Sequence, residues 1–174
     1  YNEAVLTGGI GCAKTTLALY STAYQLYLLS GMENPHAAFD LDPSSEIVFV
    51  LQSVTANLAE GLDFLRFKEM LAKAPYYQKH FPSDNTIGSE LRFPNRIVVK
   101  PLSGVPTAAL GQNVIGGLID EVNNMATVAH SKVSATGGTY DQADELYSVI
   151  SRRRKSRFMK KGALPGILCL VSSK

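Results

Sequence analysis

At 174 residues, 45% apolar and 18% charged, the chain has the make-up of a single folded α/β domain with a sizeable core, which excludes a disordered polypeptide. A net charge of +2 excludes an all-over polycation, so any contact with nucleic acid has to come from local clusters. Two distant cysteines, Cys12 and Cys169, and three scattered histidines, His36, His80 and His130, lack the spacing of a structural zinc site or a disulfide framework. Reduced thiols in a cytosolic setting fit better.

Glu3–Leu6 is a short apolar run and predicts the first strand. It leads into GGIGCAKTT, Gly8 to Thr16, and then into an apolar-periodic run, Leu17–Leu29, that predicts a helix starting near Lys14 and ending at Gly31. Strand, glycine-rich turn and helix N-terminus thus follow in the order a phosphate cradle needs. The match to G-x-x-x-x-G-K-[ST] has one departure, Ala13 in place of the last glycine, where a methyl group is expected to meet crowding. Gly8, Gly9 and Gly11 let successive N–H groups turn inward, and the helix adds its positive dipole end. Lys14 can reach the outer phosphates of a nucleotide, and the Thr15 hydroxyl can hold Mg²⁺. Taken alone the glycines could be a plain tight turn; Lys-Thr-Thr at this offset favours a nucleotide.

On the helix, Leu17, Tyr20, Tyr24, Tyr27 and Leu28 recur at helical spacing. Met32–Ser45 reads as a surface connection. Glu46–Leu51 is a continuous β-branched and aromatic run suited to a strand covered on both faces, followed by QSVT and a long helix from about Ala56 to Ala74, closed by Pro75. Tyr76–Ser89 reads as a loop. Glu90–Phe93 and Arg96–Lys100 predict a hairpin about Pro94-Asn95, and the small-residue loop Ser103–Gln112 leads to a strand at Val114–Ile119. Asn123–Tyr140 is expected to be a mobile loop. Gln142–Met159 is helical by pattern with a basic end containing Arg152, Arg153, Arg154 and Arg157, and Ile167–Val171 is the last strand. Strands alternating with helices predict an α/β fold with a mainly parallel central sheet flanked by helices. No apolar run reaches the ~18 residues a membrane span needs, and no signal peptide is present. Both ends of the chain read as cut, so a fragment of a longer protein is expected.

Asp120-Glu121, at the end of GGLID, supplies what a phosphate loop lacks for hydrolysis. At the C-terminal edge of a parallel sheet Asp120 can hold the Mg²⁺ shared with Thr15, and Glu121 can orient or deprotonate an attacking water. Alone, the pair could be two solvated acids; the phosphate loop tips the reading. Ser172-Ser173, after the last strand, could sense the terminal phosphate or simply form a loop.

GGIGCAKTT, QSVT, GGLIDEVNN and LCLVSSK together resemble the ATPase motor domain of the large terminase subunits of tailed phages, over nearly the whole chain. The hairpin ELRFPNRIVV and the loop SGVPTAALGQNV agree with it. The resemblance implies a P-loop NTPase fold of the ASCE/RecA-like kind across residues 1–174, hydrolysing ATP with Mg²⁺ to drive double-stranded viral DNA into a procapsid. It implies an ATP site at Gly8, Gly9, Ile10, Gly11, Cys12, Ala13, Lys14, Thr15 and Thr16. Lys14 and Glu121 would be catalytic, Thr15 and Asp120 the Mg²⁺ ligands, and Ser172-Ser173 the coupling motif. It further implies a homo-oligomeric ring with portal protein and small terminase subunit as partners, and work in the host cytoplasm on the procapsid without entering the mature virion. Members commonly carry an upstream adenine-contacting segment and a C-terminal nuclease domain, neither of which is expected within this fragment. Ring-forming members often place an arginine finger before the acidic pair. No basic residue lies between Lys100 and Asp120 here, with Leu110 and Gly111 near the expected place. Arg152, Arg153, Arg154 and Arg157 are therefore candidates for that finger or for DNA contact, or else form a solvated basic helix end. The alternatives are a superfamily-2-like helicase or translocase lobe, and a nucleotide switch without turnover.

Overall fold

The computed structural model describes residues 2–84, 86–103, 105–128 and 139–173. β1 (Glu3–Gly8) runs into the glycine loop and α1 (Lys14–Ser30), and Gly31 ends the helix in a right-handed conformation. The stretch expected to be a bare connection holds a short helix, α2 (Pro35–Phe39). Asn34 caps it by accepting from the Ala37 N–H at 3.0 Å, and Pro35 opens it where a missing N–H costs nothing. β2 (Ile47–Gln52) is buried at all six positions.

The long helix expected after QSVT is present but not uniform: α3 (Ala56–Leu58) passes through a π-helical turn (Ala59–Phe64) into α4 (Leu65–Lys73). Pro75 ends it and at once starts α5 (Pro75–Lys79), inside a segment whose polarity had suggested a loop. Tyrosines explain that helix. The Tyr77 hydroxyl donates to Ala23 O on α1, and Tyr76 OH lies 2.7 Å from Ser30 Oγ. β3 (Leu91–Phe93) and β4 (Ile97–Leu102) form the expected hairpin, with Asn95 and Arg96 in the left-handed region between them. A 3₁₀ turn, Pro106–Ala109, precedes β5 (Val114–Ile119), and another, Val122–Asn124, follows it. β6 (Thr127–Val128) and β7 (Tyr140–Asp141) pair as a small antiparallel ribbon; the rest of the expected loop, residues 129–138, lies outside the described residues. α6 (Gln142–Phe158) is capped by Asp141, which accepts from Ala143 and Asp144 N–H groups, and β8 (Leu168–Ser173) closes the domain. Ser172 and Ser173 therefore belong to the last strand and do not merely follow it.

The sheet order is β1-β8-β5-β2-β4-β3, parallel except for β3. The mainly parallel α/β sheet expected from the sequence is what forms. One face packs Phe49, Leu51, Leu118 and Cys169 against Leu26 of α1 and Phe64, Phe67 and Leu71 of the helix after β2. The other packs Val48, Val50, Ile119 and Leu168 against Leu146 and Ile150 of α6. Each such side chain contributes about 2 kcal/mol by leaving water.

α1 corrects the sequence reading. Its buried face is Ala18, Leu19, Thr22, Gln25, Leu26 and Leu29, whereas Leu17, Tyr20, Tyr24, Tyr27 and Leu28 are exposed. The tyrosine stripe faces a cleft of about 770 Å³ shared with Met70, Tyr76 and Tyr77. Gln25 is buried because its Oε1 accepts the Ile167 N–H at 2.6 Å, which ties α1 to the entrance of β8. That approach is possible only over glycine. A Cβ on Gly116 would lie 2.5 Å from Gln25 Oε1, and one on Gly117 2.0 Å from Val50 O. Among the described residues no helix is long and apolar enough to cross a membrane.

Candidate nucleotide site

Three strand ends build the candidate site. β8 lies between β1 and β5, so Gly8 is paired with Ser173, while Leu170 of the same strand pairs with Ile119 just before the acidic residues. The phosphate loop, the two serines and Asp120-Glu121 are thereby brought to one edge of the sheet, the C-terminal edge where open α/β sheets bind ligands.

Residues Gly9 to Ala13 form an exposed loop. Gly11 has φ +84, and no atom lies within 4 Å of where its Cβ would stand, so the loop mouth is open there. Ala13 has φ 56 and ψ 23. It is exposed, and it is held in a left-handed backbone that glycine adopts freely and alanine at a cost of ~1 kcal/mol. Lys14 Nζ donates to Gly8 O at 3.1 Å and Gly9 O at 2.7 Å, so its ammonium lies across the loop that would receive phosphate.

Thr15 Oγ1 donates to Asp120 Oδ2 at 3.1 Å, joining residues far apart in the sequence. Asp120 is buried; its Oδ1 accepts the Glu121 N–H at 2.9 Å and its own N–H donates to Gln52 O at 2.7 Å. Glu121 sits in the left-handed region, φ 54 and ψ 41, which stops the strand and turns the chain toward Asn123 and Asn124. A non-glycine residue held there stores strain of the order of 1–3 kcal/mol, a feature concentrated at functional sites. Its carboxylate accepts from Asn124 Nδ2 at 2.6 Å and from Ser173 Oγ at 3.4 Å, while Asn123 Oδ1 accepts the Ser173 N–H at 3.1 Å. The acidic pair and the last strand are thus directly connected.

Sequence reasoning missed three residues here. Asp63, on the π-helical turn, is 4% exposed and within hydrogen-bonding reach of Asp120. Burial chiefly, then the charges of Asp120 and Glu121, push its carboxyl up to about 7 against the pull of Arg66. Burial likewise raises Asp120, opposed by the bonds from Glu121 N–H and Thr15 and by Lys14. A signal existed: Asp63 falls on the stripe Ala59, Asp63, Phe67, Leu71, the one acid on an otherwise apolar buried face. Arg66 lines the cleft beside Thr16, and Gln52 has a buried Oε1 with no donor although its Nε2 donates to Ser103 O at 2.5 Å.

Among the described residues no group of three or more His, Cys, Asp or Glu side chains is spaced to enclose a metal ion. Mg²⁺ does not need one. It is commonly held by one or two carboxylates, substrate phosphate and water, and a hydroxyl and carboxylate already in contact, Thr15 and Asp120, suit that ion.

The four arginines lie at the other edge. Arg154 is 0% exposed: its Nε donates to Ile115 O at 3.0 Å and its Nη2 to Asn2 O and Gly166 O at 2.9 and 3.0 Å, with Glu3 at 3.6 Å from Nη1. These acceptors are the starts of β5, β1 and β8, opposite the phosphate loop. Arg154 is therefore a structural clasp, removed by burial from the candidates for a finger or DNA contact. Arg152 and Arg157 are exposed and Arg153 half-buried; Arg152 pairs loosely with Glu145 at 3.9 Å.

A family model for the N-terminal P-loop domain of the uncharacterized protein MJ0330 matches residues 1–168. No curated protein matches the chain. Among solved structures, the HK97 bacteriophage large terminase superposes with a TM-score of 0.54 at 16% identity, covering 98% of this chain and 29% of that one. The large terminase of a thermophilic bacteriophage, in complex with ADP, gives a TM-score of 0.54 at 14% identity, covering 98% of this chain and 33% of that one. The chain spans a third or less of the length of these two proteins. At such identities the likeness is one of fold, and it is the fold that the sequence motifs resembled.

Proposed function

The chain belongs to the family of the MJ0330 N-terminal P-loop domain, and we propose that it is an ATP-hydrolysing motor domain of the terminase kind, driving double-stranded DNA into a procapsid. The observation that carries this reading is the 3.1 Å contact of Thr15 Oγ1 with Asp120 Oδ2, beside a Glu121 bonded to the strand that pairs with the phosphate loop. It joins the groups a phosphoryl transfer needs. The fold shared with two large terminases, one of them solved with ADP, supports the class.

Lys14 would exchange the carbonyls of Gly8 and Gly9 for phosphate oxygens, with the N–H groups of Gly9 to Thr16 as further donors. Thr15 and Asp120 would hold Mg²⁺, which when bound neutralises charge on the phosphates. Glu121 would orient an attacking water and take its proton; the bonds from Asn124 and Ser173 fix its carboxylate for that task. Ser173 pairs with Gly8 and bonds Glu121, so it would register a change on either side, with Ser172 beside it as the second hydroxyl of the coupling motif. Arg152, Arg153 and Arg157 remain the candidates to meet DNA phosphates or a neighbouring subunit's nucleotide in a homo-oligomeric ring. Portal protein and small terminase subunit would be the partners, and the host cytoplasm the place of action.

Phosphate release from Mg²⁺-ATP, with and without duplex DNA, tests the reading. DNA-stimulated release by wild type, lost in Glu121→Gln with nucleotide binding kept, is the expected result. Undiminished release in that variant would overturn the assignment.

A further inference from the structure

We propose that the cleft between α1 and α4 receives, in the half nearer the phosphate loop, the base of a bound nucleotide, stacked between the Tyr20 ring and the Arg66 guanidinium. The proposal rests on the nucleotide reading above and extends it from the phosphates to the nucleoside.

The two halves of the cleft differ in how their side chains are satisfied. Away from the loop the tyrosines have partners. Tyr77 OH donates to Ala23 O, Tyr76 OH lies 2.7 Å from Ser30 Oγ, and the Tyr27 ring meets Tyr76 edge-on with centroids 4.9 Å apart and Tyr24 at 6.3 Å. Those contacts lock α5 onto α1. Toward the loop the cleft is lined by Thr16 and Tyr20 on the α1 wall and Arg66 on the α4 wall. Among the described residues none of these three side chains makes a hydrogen bond, an ion pair or a ring contact; Arg66 acts on Asp63 through its charge alone. Tyr20 is 58% exposed, and Thr16 and Arg66 are exposed beside it. A bare phenol ring on one wall and a free guanidinium on the other are two surfaces that bind a flat ring between them.

The position of this half says which flat ring. Leu17 N–H donates to Ala13 O at 2.9 Å, so the N–H groups of Lys14, Thr15 and Thr16 are the ones in α1 with no carbonyl behind them. Phosphates that follow this row leave the loop at Thr16, and Tyr20 stands one turn further on, about 6 Å along the axis. The occupant has to continue from a phosphate, lie flat, and rest on an apolar floor of Leu19, Met70 and Leu71. A base on its ribose meets all three conditions, and a cleft of about 770 Å³ has the size of a cofactor site.

The test uses two probes on the full chain with Mg²⁺: ADP, and inorganic tripolyphosphate, which has phosphates and no base. The variants are Tyr20→Leu, which stays apolar without a π-face, Tyr20→Phe, which keeps the ring, and Arg66→Ala. Both positions are exposed, so the core is left untouched. With eight tyrosines and no tryptophan in the chain, tyrosine emission is a direct readout. Wild type is expected to bind ADP more tightly than tripolyphosphate, with ADP alone quenching the emission. Tyr20→Leu should weaken ADP ~10-fold or more, Arg66→Ala ~2–5-fold and Tyr20→Phe less than ~2-fold, while tripolyphosphate affinity moves less than ~2-fold in both Tyr20 variants. Unchanged ADP affinity in Tyr20→Leu and Arg66→Ala, with wild type binding ADP, overturns the base site and leaves the nucleotide reading standing. Equal losses of ADP and tripolyphosphate in Tyr20→Leu overturn it in favour of a ring that only supports the loop. Self-association of wild type in sedimentation, abolished in Tyr20→Leu and indifferent to ADP, gives the cleft to a second copy and overturns it as well. Wild type that binds neither probe overturns the nucleotide reading, and this site with it.

Discussion

Each edge of the sheet buries charge, and the two do so in opposite ways. Where the strands begin, the Arg154 guanidinium meets the carbonyls of Ile115, Asn2 and Gly166, and its partner Glu3 accepts from Tyr147 OH at 2.9 Å and Ser151 Oγ at 3.3 Å. Donors face acceptors there, save that Arg154 Nη1 makes no hydrogen bond and meets Glu3 only as an ion pair at 3.6 Å. Where the strands end, Asp63 faces Asp120, Glu121 is bent into a left-handed backbone, and Ala13 is held in the same region across the loop. Buried acids stand together there, each of Asp120 and Glu121 held by donors from the loop and the last strand, and the chain is strained at two residues. The edge built on Arg154 holds the fold, and the acidic edge is the one at which the proposed function places the nucleotide.

The two edges should therefore respond differently to substitution. Glu121→Gln acts at the acidic edge and removes a proton acceptor without removing a donor the fold needs. Phosphate release should fall ~10²–10⁴-fold while the thermal midpoint stays close to wild type. Arg154→Ala acts at the opposite edge and leaves Glu3 and four strand-entry carbonyls without their cation, the fourth being Pro165 O at 3.5 Å. A loss of ~3–5 kcal/mol in urea unfolding is expected. Arg154→Lys should recover little of it, since one ammonium cannot span a fork of carbonyls.

A pH series on the metal-free protein separates the edges further. Asp63 is raised from 3.8 to about 7, so the folded chain keeps a proton that the unfolded chain releases. Its contribution is full below pH ~4, declines as pH rises, and is gone above ~7, a drop of ~2–4 kcal/mol relative to Asp63→Asn, which has no such proton. Parallel curves for the two proteins would contradict this. The smallest effect belongs to Ala13→Gly, which relieves a left-handed alanine. It should change stability by no more than ~1 kcal/mol, with relief of strain offset in part by the freer unfolded chain.

Much of this organisation was legible in the sequence. Val114–Ile119 is a strand with the bounds its apolar run suggested, and the phosphate loop, hairpin and α6 stand where punctuation and periodicity put them. The misses have physical causes. α1 is apolar on more than one face, so periodicity marked a stripe without saying which stripe is buried; Gln25 and Thr22 went inside because partners across the sheet and along the helix satisfy them. α2 and α5 are single turns begun by proline, a residue that also reads as a breaker. Arg154 looked like three neighbouring basic residues, and only the carbonyls converging from three strand entrances set it apart. Asp63 needed the fold to bring it to Asp120.

The position of β8 also bears on the order in which the domain can be made. Among the described residues β1 pairs with β8 and with no other strand, in a register that joins Glu3 to Leu168 and Gly8 to Ser173. On a ribosome, β2, β4 and β5 can find one another while β1 and the glycine loop wait for β8, the last of these strands in the sequence. Closing that pairing spans almost the whole domain and is entropically slow. The nascent chain thus acquires its capacity for nucleotide in a single late step, and a truncated translation product would form part of a sheet with no phosphate site.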